Sequence, residues 1–316
     1  MVATLADVAK LANVSKMTVS RVLNHPDQVS DELKSLVYQA MADLNYQPNR
    51  LARALVNQQS QMIKLMILED TDSVEPYYMA LLTGIAMELD RHAYGLQILT
   101  RDSKNLGNSD GYIICGMREA DFPEIDRLDK PVVLFGENKH GHDYVDSNNK
   151  ESIAQVTNYC QQVGYQNLVY IDMAIDEPFS RSRREGYQAV MTQLKKQPRI
   201  LTFSNDSDAI FEYLMDQASY FQPGTAFICA SDRLALGVVR ALQIRGKIIP
   251  SDYGVTGHDG VFLDQITYPK LTTMKQDIKE MGAACANLLM DKIKQDKPDQ
   301  HKLLFPAKLR LGGTTK

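Results

Sequence analysis

The sequence has no apolar stretch near the roughly 18 residues that a membrane-spanning helix needs. Its start, MVATLADVAK, has neither the basic beginning nor the apolar stretch of a secretory signal. We therefore expect a cytoplasmic protein without membrane contact. The four cysteines lie far apart and form no C-x-x-C pair, which argues against a zinc site or a disulfide framework.

Motifs for phosphate binding and nucleophilic catalysis are also missing. There is no P-loop, no nucleophile elbow and no pair of carboxylates in a supporting context. With 316 residues, 44% of them hydrophobic and 23% charged, the chain has the composition of an ordinary globular protein of two or three domains. We expect no enzymatic activity, no cofactor and no metal.

The charge is unevenly distributed along the chain. Residues 1–60 contain six basic and five acidic side chains, whereas the whole chain has a net charge of −4. A nucleic-acid contact in this segment would therefore depend on a few placed cations, helix N-termini and backbone amides rather than on a broad basic surface.

Residues that typically begin helices recur three times in the first 46 residues. Thr4 and Asp7 have the spacing of a capping box, and Ser15 and Ser30 can each cap a further helix. Apolar residues then recur at helical spacing, and Asn13-Val14 forms a short turn. The pattern predicts a helix-turn-helix, although any small three-helix domain could show such stripes. The exposed face of the second helix, with Lys16, Met17 and Arg21, favours a recognition helix.

Residues 4–24, TLADVAKLANVSKMTVSRVLN, resemble the signature of the lactose-repressor/galactose-repressor (LacI/GalR) family. Residues 30–56 resemble the third helix and hinge of that family. The resemblance implies that Lys16 and Met17 choose operator bases and that Arg21 contacts a base. It assigns phosphate contacts to Ser15, Thr18, Ser20 and Asn24, although each of these alone fits a solvated surface equally well.

A hinge segment follows. Pro48 ends the third helix, and Asn49 can cap a helix of seven or eight residues, too short to be stable alone. The resemblance implies that two such hinge helices pair in the minor groove, with Leu55 wedged between base pairs; packing against the core is the alternative for Leu55. The candidate DNA contacts in this segment are Asn49, Arg50, Ala52, Arg53 and Leu55.

After residue 61, short apolar runs alternate with amphipathic helices, which predicts parallel sheets with helices on both faces. The resemblance implies a two-lobed α/β core of the periplasmic-binding-protein type, joined to an all-α helix-turn-helix headpiece and hinge helix. We expect the headpiece at 1–46 and the hinge at 47–60. The N-terminal lobe would comprise 61–147 with 278–302, and the C-terminal lobe 148–277 with 303–316.

Three motifs in the core resemble those of the family: RREGY (183–187), ASDRLALG (230–237) and GHDG (257–260). An arginine beside aspartates suits the hydroxyls of a sugar ring. The candidate effector-binding residues are Tyr77, Tyr78, Arg183, Ser231, Asp232, His258 and Asp259. Alternatives remain: Asp232 as a helix cap, His258 as a structural histidine, and the tyrosines on a dimer surface.

Two segments depart from the family pattern. Only nine residues, 101–109, lie between Thr100 and Asp110, so one helix of the N-terminal lobe is missing or reduced to a turn. His140 and His142 lie in a loop that reads as solvated rather than metal-binding.

The predicted function is that of a homodimeric repressor of carbohydrate-utilisation genes. It would bind a near-palindromic double-stranded DNA operator under allosteric control by a mono- or oligosaccharide. One alternative is a catabolite regulator that docks a phosphorylated carrier protein. An arginine-rich patch on residues 78–92 would favour it, but only Arg91 is present. Alternatives of a different class are a sugar-binding protein or a sugar-handling enzyme.

Overall fold

The computed structural model describes residues 3–24, 28–46, 60–69, 76–103, 107–294 and 301–316. The chain divides into two compact units between residues 61 and 62. Within the described ranges, no helix combines the length and the apolar character that crossing a membrane requires.

Among its described residues, the first unit has three helices: α1 is Leu5–Leu11, α2 is Lys16–Asn24 and α3 is Asp31–Asp43. The Asp7 carboxylate accepts from the backbone N–H of Thr4 at 2.8 Å, which fixes the start of α1. Ser15 begins α2, because its Oγ accepts from the N–H of Thr18 at 3.0 Å. The fully buried side chains that hold the three helices together are Val8, Val19, Val22 and Val37.

The second unit alternates strands and helices. The strands are β1 Met62–Ile67, β2 Gly95–Thr100, β3 Gly111–Cys115, β4 Val132–Phe135, β5 Asp143–Ser147, β6 Asn167–Met173, β7 Arg199–Phe203, β8 Thr225–Cys229, β9 Tyr253–Asp259, β10 Thr272–Lys275, β11 Lys302–Phe305 and β12 Lys308–Arg310. The helices are α4 Pro76–Arg91, α5 Phe122–Ile125, α6 Asn149–Gln162, α7 Pro178–Gln193, α8 Ser207–Gln217, α9 Asp232–Ile244, α10 Leu263–Ile266 and α11 Ile278–Lys294.

Two six-stranded sheets organise this unit, one in each lobe. The first lobe has the strand order β11-β5-β4-β3-β1-β2, and all its strands are parallel. The second lobe has the order β12-β10-β9-β8-β6-β7, in which β12 is antiparallel to β10 and the remaining pairs are parallel. Because successive side chains of a strand point to opposite faces, each sheet can bury apolar residues on both sides.

Helix packing in the first lobe depends on a close approach between α4 and α11. A Cβ added to Gly84 of α4 would lie 2.0 Å from the carbonyl oxygen of Lys279 in α11. On the opposite face of the sheet, Ile114 and Leu134 pack with Phe122 of α5. Both faces are therefore covered near the centre of the sheet, as the alternating pattern predicted.

The chain crosses between the lobes three times, after β5, after β10 and after β11. The expected boundary between residues 302 and 303 falls inside β11. All of β11 pairs with β5, from Lys302 beside Tyr144 to Phe305 beside Ser147. The last crossing therefore comes after Phe305, because the apolar end of this segment completes the edge of the first sheet.

The short connection between β2 and β3 forms no helix over its described residues, 101–103 and 107–110. Lys64 of β1 is fully buried, and its Nζ donates to the carbonyl oxygen of Gly107 at 2.7 Å. Burial lowers the pKa of Lys64 below its ordinary value. The described residues of this connection thus agree with the expectation that one helix of the first lobe is missing or reduced to a turn.

Candidate DNA-reading helix and effector cleft

The exposed face of α2 contains the side chains proposed to read DNA. Val19 and Val22 are fully buried and fix the rotation of the helix about its axis. Met17, on the opposite face, is 73% exposed. The remaining described side chains of the proposed contact set are exposed or half-buried: Ser15, Lys16, Thr18, Ser20 and Arg21. The helix therefore presents a cationic and hydrogen-bonding surface with one large apolar side chain near its start.

Several predicted DNA contacts lie outside the described residues. These are Asn49, Arg50, Ala52, Arg53 and Leu55 of the hinge. For Asn24, the structure describes only the backbone, at the end of α2.

A cavity of about 930 Å³ is lined by residues of both lobes, many of which follow directly after the parallel strands. In the first lobe, Glu69 follows β1 and Glu137 follows β4. In the second lobe, Ser231 follows β8 and Asp259 ends β9. This is the position at which open parallel sheets bind ligands. Six of the seven predicted effector residues line the cavity: Tyr77, Tyr78, Arg183, Ser231, Asp232 and Asp259.

Arg183 of α7 is buried at the inner end of the cavity, where it is 6% exposed. Its Nε donates to Asn149 Oδ1 at 2.7 Å, and its Nη1 donates to the carbonyl oxygen of Ala230 at 2.7 Å. These bonds fix the plane of the guanidinium. Burial raises the pKa of Asp146, and the nearby Arg183 guanidinium partly opposes this shift.

Asp146 is a cavity residue that the sequence did not single out. Its carboxylate accepts from the backbone N–H groups of Glu137 at 2.8 Å and Ser147 at 2.6 Å. Its position next to the expected lobe boundary after residue 147 is the signal that could have identified it, because the chain crosses between lobes at the hinge of a two-lobed fold. Gln276, next to the second crossing, was missed in the same way.

Asp232 lines the cavity and bonds to two other segments of the second lobe. Its Oδ2 accepts from the N–H of Gly260 at 2.7 Å, and its Oδ1 accepts from the Thr273 hydroxyl at 2.6 Å. Burial, and then the neighbouring Asp259, raise the pKa of Asp232 well above its ordinary value. The helix cap that was considered for Asp232 belongs instead to Ser231, whose Oγ accepts from the N–H of Leu234 at 3.2 Å.

Asp259 projects into the cavity from the end of β9. Its backbone has φ = +119°, a conformation rare for a residue with a side chain, and Gln276 Nε2 donates to its Oδ1 at 2.9 Å. Observed strain of this kind concentrates at functional positions. The geometry thus makes Asp259 a supported candidate for ligand contact.

His258 is the one predicted effector residue that does not line the cavity. It is fully buried behind Asp259, with Nδ1 at 3.3 Å from Asp259 Oδ1 and 3.2 Å from Gln276 Nε2. Burial lowers the pKa of His258 to about 4. Its burial against Asp259 and Gln276 favours the structural histidine that was considered as the alternative to direct ligand contact.

The two tyrosines after Pro76 line the first-lobe wall of the cavity. The ring of Tyr77 lies edge-on to Phe135, with centroids 6.1 Å apart. The Tyr78 hydroxyl donates to the carboxylate of Glu69. Burial raises the pKa of Tyr77 well above its ordinary value, and the neighbouring Asp259 and Asp146 raise it further. The tyrosines are therefore neutral cleft residues, close to the buried aspartates.

Beside the cavity, the two lobes touch through a hydrogen bond. Ser182 of α7 donates to Glu137 Oε2 at 3.0 Å. Burial raises the pKa of Glu177, and the nearby backbone N–H of Glu119 opposes that shift. The two lobes are thus in contact beside the cavity.

Comparison with known proteins identifies the family. Residues 4–49 match the model described as bacterial regulatory proteins, lacI family, and residues 157–315 match the periplasmic binding protein-like domain. The chain is 48% identical over 308 residues to the uncharacterized HTH-type transcriptional regulator YvdE of Bacillus subtilis (strain 168), which covers 97% of this chain and 98% of the relative. This chain belongs to the lacI family.

Solved structures agree with the fold of the lacI family. The lac repressor dimer bound to operator and the anti-inducer ONPF has a TM-score of 0.77, at 23% identity over 99% of both chains. The transcriptional regulator CelR in complex with cellobiose has a TM-score of 0.74, at 24% identity over 99% of both chains. The predicted helix-turn-helix joined to a two-lobed α/β core is therefore confirmed.

The family assignment also decides between classes of protein. The chain is a DNA-binding transcriptional regulator of the lacI family and not an enzyme, so the alternative of a sugar-handling enzyme is wrong. Within the described residues, no group of three or more His, Cys, Asp or Glu side chains is arranged to hold a metal ion.

Proposed function

We propose that the chain is a cytoplasmic, homodimeric repressor of carbohydrate-utilisation genes whose operator affinity is controlled by a sugar in the cleft. The observation that carries the proposal is the group formed by the buried Arg183 and Asp146 with the half-buried Asp259 at the inner end of the cavity. A guanidinium beside carboxyl groups supplies the donors and acceptors that the hydroxyls of a sugar ring need. Tyr77 adds an aromatic wall to the same pocket.

The CelR relative, solved with cellobiose, supports a sugar effector for this chain. The carrier-protein alternative lacks its expected surface. Arg91 is the single arginine of α4, and its Nη1 donates to Glu88 Oε2 of the same helix at 2.8 Å. An arginine-rich patch for a phosphorylated partner is therefore missing from this helix.

On the DNA side, a dimer would place two copies of α2 on the halves of a near-palindromic operator. Lys16, Met17 and Arg21 would contact base edges in the major groove. The proposed phosphate and minor-groove contacts are Ser15, Thr18, Ser20, Asn24, Asn49, Arg50, Ala52, Arg53 and Leu55.

Control would operate through the geometry of the lobes. A ligand that favours the closed cleft changes the relation of the paired first lobes, and with it the spacing of the hinge segments on DNA. The ligand needs only a different affinity for the open and closed forms.

Two measurements test the proposal. The full chain is first used to select duplexes from a random library, with a near-palindromic sequence as the expected product. Its melting temperature is then followed with a panel of mono-, di- and trisaccharides. A rise with at least one sugar is expected. No response to any sugar, together with a response to a purine or to a phosphorylated carrier protein, would overturn the sugar hypothesis.

A further inference from the structure

The cavity extends well beyond the inner group of Arg183, Asp146 and Asp259. Phe179 lies one turn before Arg183 on α7, and the Arg183 guanidinium carbon is 5.3 Å from the centre of its ring. Glu177, at the start of the same helix, comes next toward the mouth. All of these residues line one continuous cavity, so its inner end is connected to its rim.

An aromatic and acidic group stands on the opposite, first-lobe side of the rim. The rings of His140 and Phe122 are stacked, with centroids 3.7 Å apart and planes inclined by 14°. His140 Nε2 lies 2.9 Å from Glu119 Oε1. Phe122 is buried, whereas the His140 side chain is 28% exposed. Phe122 and Glu119 therefore fix the position of the His140 ring, which remains partly exposed at the cavity wall. We call this ring the His140 platform.

The two sides of the rim face each other. Burial raises the pKa of the Glu177 carboxyl group, and the nearby backbone N–H of Glu119 opposes that shift, so the start of α7 lies close to the residue that pairs with the His140 platform. Phe179 of the second lobe and His140 of the first lobe thus form the walls of one outer compartment. Flat rings with a few fixed polar groups are the usual lining of a small-molecule site.

The volume of the cavity exceeds what one sugar ring fills. A hexose takes roughly the space of six waters, or about 180 Å³, at about 30 Å³ for each water. The cavity holds about 930 Å³. One ring at the inner group would leave the outer compartment filled only with solvent, whereas two or three linked rings would reach the rim.

The charge of the lining limits the chemistry of the ligand. The described lining residues include eight Asp or Glu side chains but only four Lys or Arg side chains. An anionic group would be repelled by this excess of carboxylates unless a cation faced it directly. The lining therefore favours an uncharged polyol over a sugar phosphate or a uronate.

We propose that the outer compartment, formed by Phe122, His140, Glu119, Glu177 and Phe179, is a second sugar subsite. The effector is accordingly an uncharged oligosaccharide of two or three units. Its first ring binds at the inner group and its second ring binds between Phe179 and His140. This assignment rests on the proposed function, because it extends the same cleft.

Isothermal titration calorimetry of the full chain tests the subsite with D-glucose, maltose, cellobiose, maltotriose and glucose 6-phosphate. At least one of the three uncharged oligosaccharides is expected to bind about tenfold or more tightly than D-glucose, since a further ring adds contacts. Glucose 6-phosphate is expected to bind no better than D-glucose. Equal affinity for D-glucose and every oligosaccharide would overturn the second subsite.

A matched pair of variants locates the effect. His140→Ala is expected to weaken binding of the oligosaccharide about tenfold and leave D-glucose binding unchanged. His142→Ala is the control: it removes a histidine from the same loop, which pairs with Asp126 and does not line the cavity. Equal oligosaccharide affinity in the two variants would overturn the assignment of His140.

The same measurements distinguish failure of the sugar hypothesis from failure of the outer subsite. If no uncharged sugar binds the wild-type chain, the sugar hypothesis itself fails. Arg183→Lys is expected to weaken the binding of mono- and oligosaccharides alike. If it does, while His140→Ala and His142→Ala bind the oligosaccharide equally well, the sugar hypothesis stands and the outer subsite is wrong.

Discussion

The hydroxyl of Ser182 in the second lobe donates a 3.0 Å hydrogen bond to the carboxylate of Glu137 in the first lobe. This contact joins α7 to the residues that follow β4 beside the cavity. Because both residues are half-buried, the bond is only partly screened by solvent. It joins the lobes close to the inner group, because Ser182 precedes Arg183 and the Glu137 N–H donates to Asp146.

Removing this bond should loosen the closed form. We expect Ser182→Ala to weaken effector binding about fivefold, corresponding to about 1 kcal/mol for one hydrogen bond to a charged group at a partly exposed site. Thr192→Ala, on the same helix, is the control, because its hydroxyl bonds only within α7 to the carbonyl of Gln188. Calorimetric affinities that are equal for the two variants would show that the bridge does not stabilise the closed form.

Arg21 is expected to read a base rather than to add charge alone. Arg21→Ala should reduce the preference for the selected operator over scrambled DNA by about 10- to 100-fold, the size of one lost bidentate contact. Lys34→Ala on α3 should leave that preference unchanged, since Lys34 pairs with Asp31 at 2.9 Å. Fluorescence anisotropy at fixed salt measures both, and a preference unchanged in Arg21→Ala would remove Arg21 from the reading face.

The contact between α6 and α7 predicts a stability effect. A Cβ at Gly186 would lie 2.2 Å from the backbone oxygen of Lys150, which no side-chain rotation can relieve. We expect Gly186→Ala to lower the free energy of unfolding by about 1–3 kcal/mol, the usual cost of overpacking. Gln188→Ala, exposed on the same helix, is the control. Urea titration of both variants should show a loss in the first alone.

The pH dependence follows from His258. Its folded pKa of about 4 lies below the ordinary 6.5, so its contribution to stability is complete above pH 6.5 and is lost as the pH falls toward 4. By pH 5 the loss should be about 2 kcal/mol. Asp146 and Asp232 act in the opposite direction, because their raised pKa values favour the folded state as they become protonated.

Comparison with His258→Asn isolates the histidine from those carboxyl groups. The wild type should lose more unfolding free energy between pH 7 and pH 5 than the variant loses, with urea titration as the measurement. Identical losses would show that His258 does not resist protonation in the folded protein.

Local signals allowed most of the headpiece to be predicted. The caps at Thr4 and Ser15 and the spacing of Val19 and Val22 depend on residues within one or two helical turns. The rotation of α2, and hence the exposure of Arg21, follows from those contacts alone. The alternation of apolar runs and amphipathic helices likewise predicted two parallel sheets, although strands β5, β10, β11 and β12 were not predicted.

The features that were not predicted from the sequence depend on contacts between residues far apart along the chain. The role of Asp232 depends on Gly260 and Thr273, which are far along the chain. His258 and Asp259 are adjacent, yet the pleat of β9 buries one and leaves the other at the cavity. Asp146 lies in β5, whose sequence DYVDS has no apolar run, and its access to the cavity depends on where the two lobes meet.

The central claim is that occupancy of the cleft controls operator binding. The direct measurement is the anisotropy titration of the selected operator with the full chain, with and without a saturating oligosaccharide, for wild type and Arg183→Lys. The operator dissociation constant should change about tenfold or more in the wild type, and sugar at the same concentration should change it little in Arg183→Lys. An operator affinity that stays constant while calorimetry shows the wild-type cleft to be filled would contradict the claim.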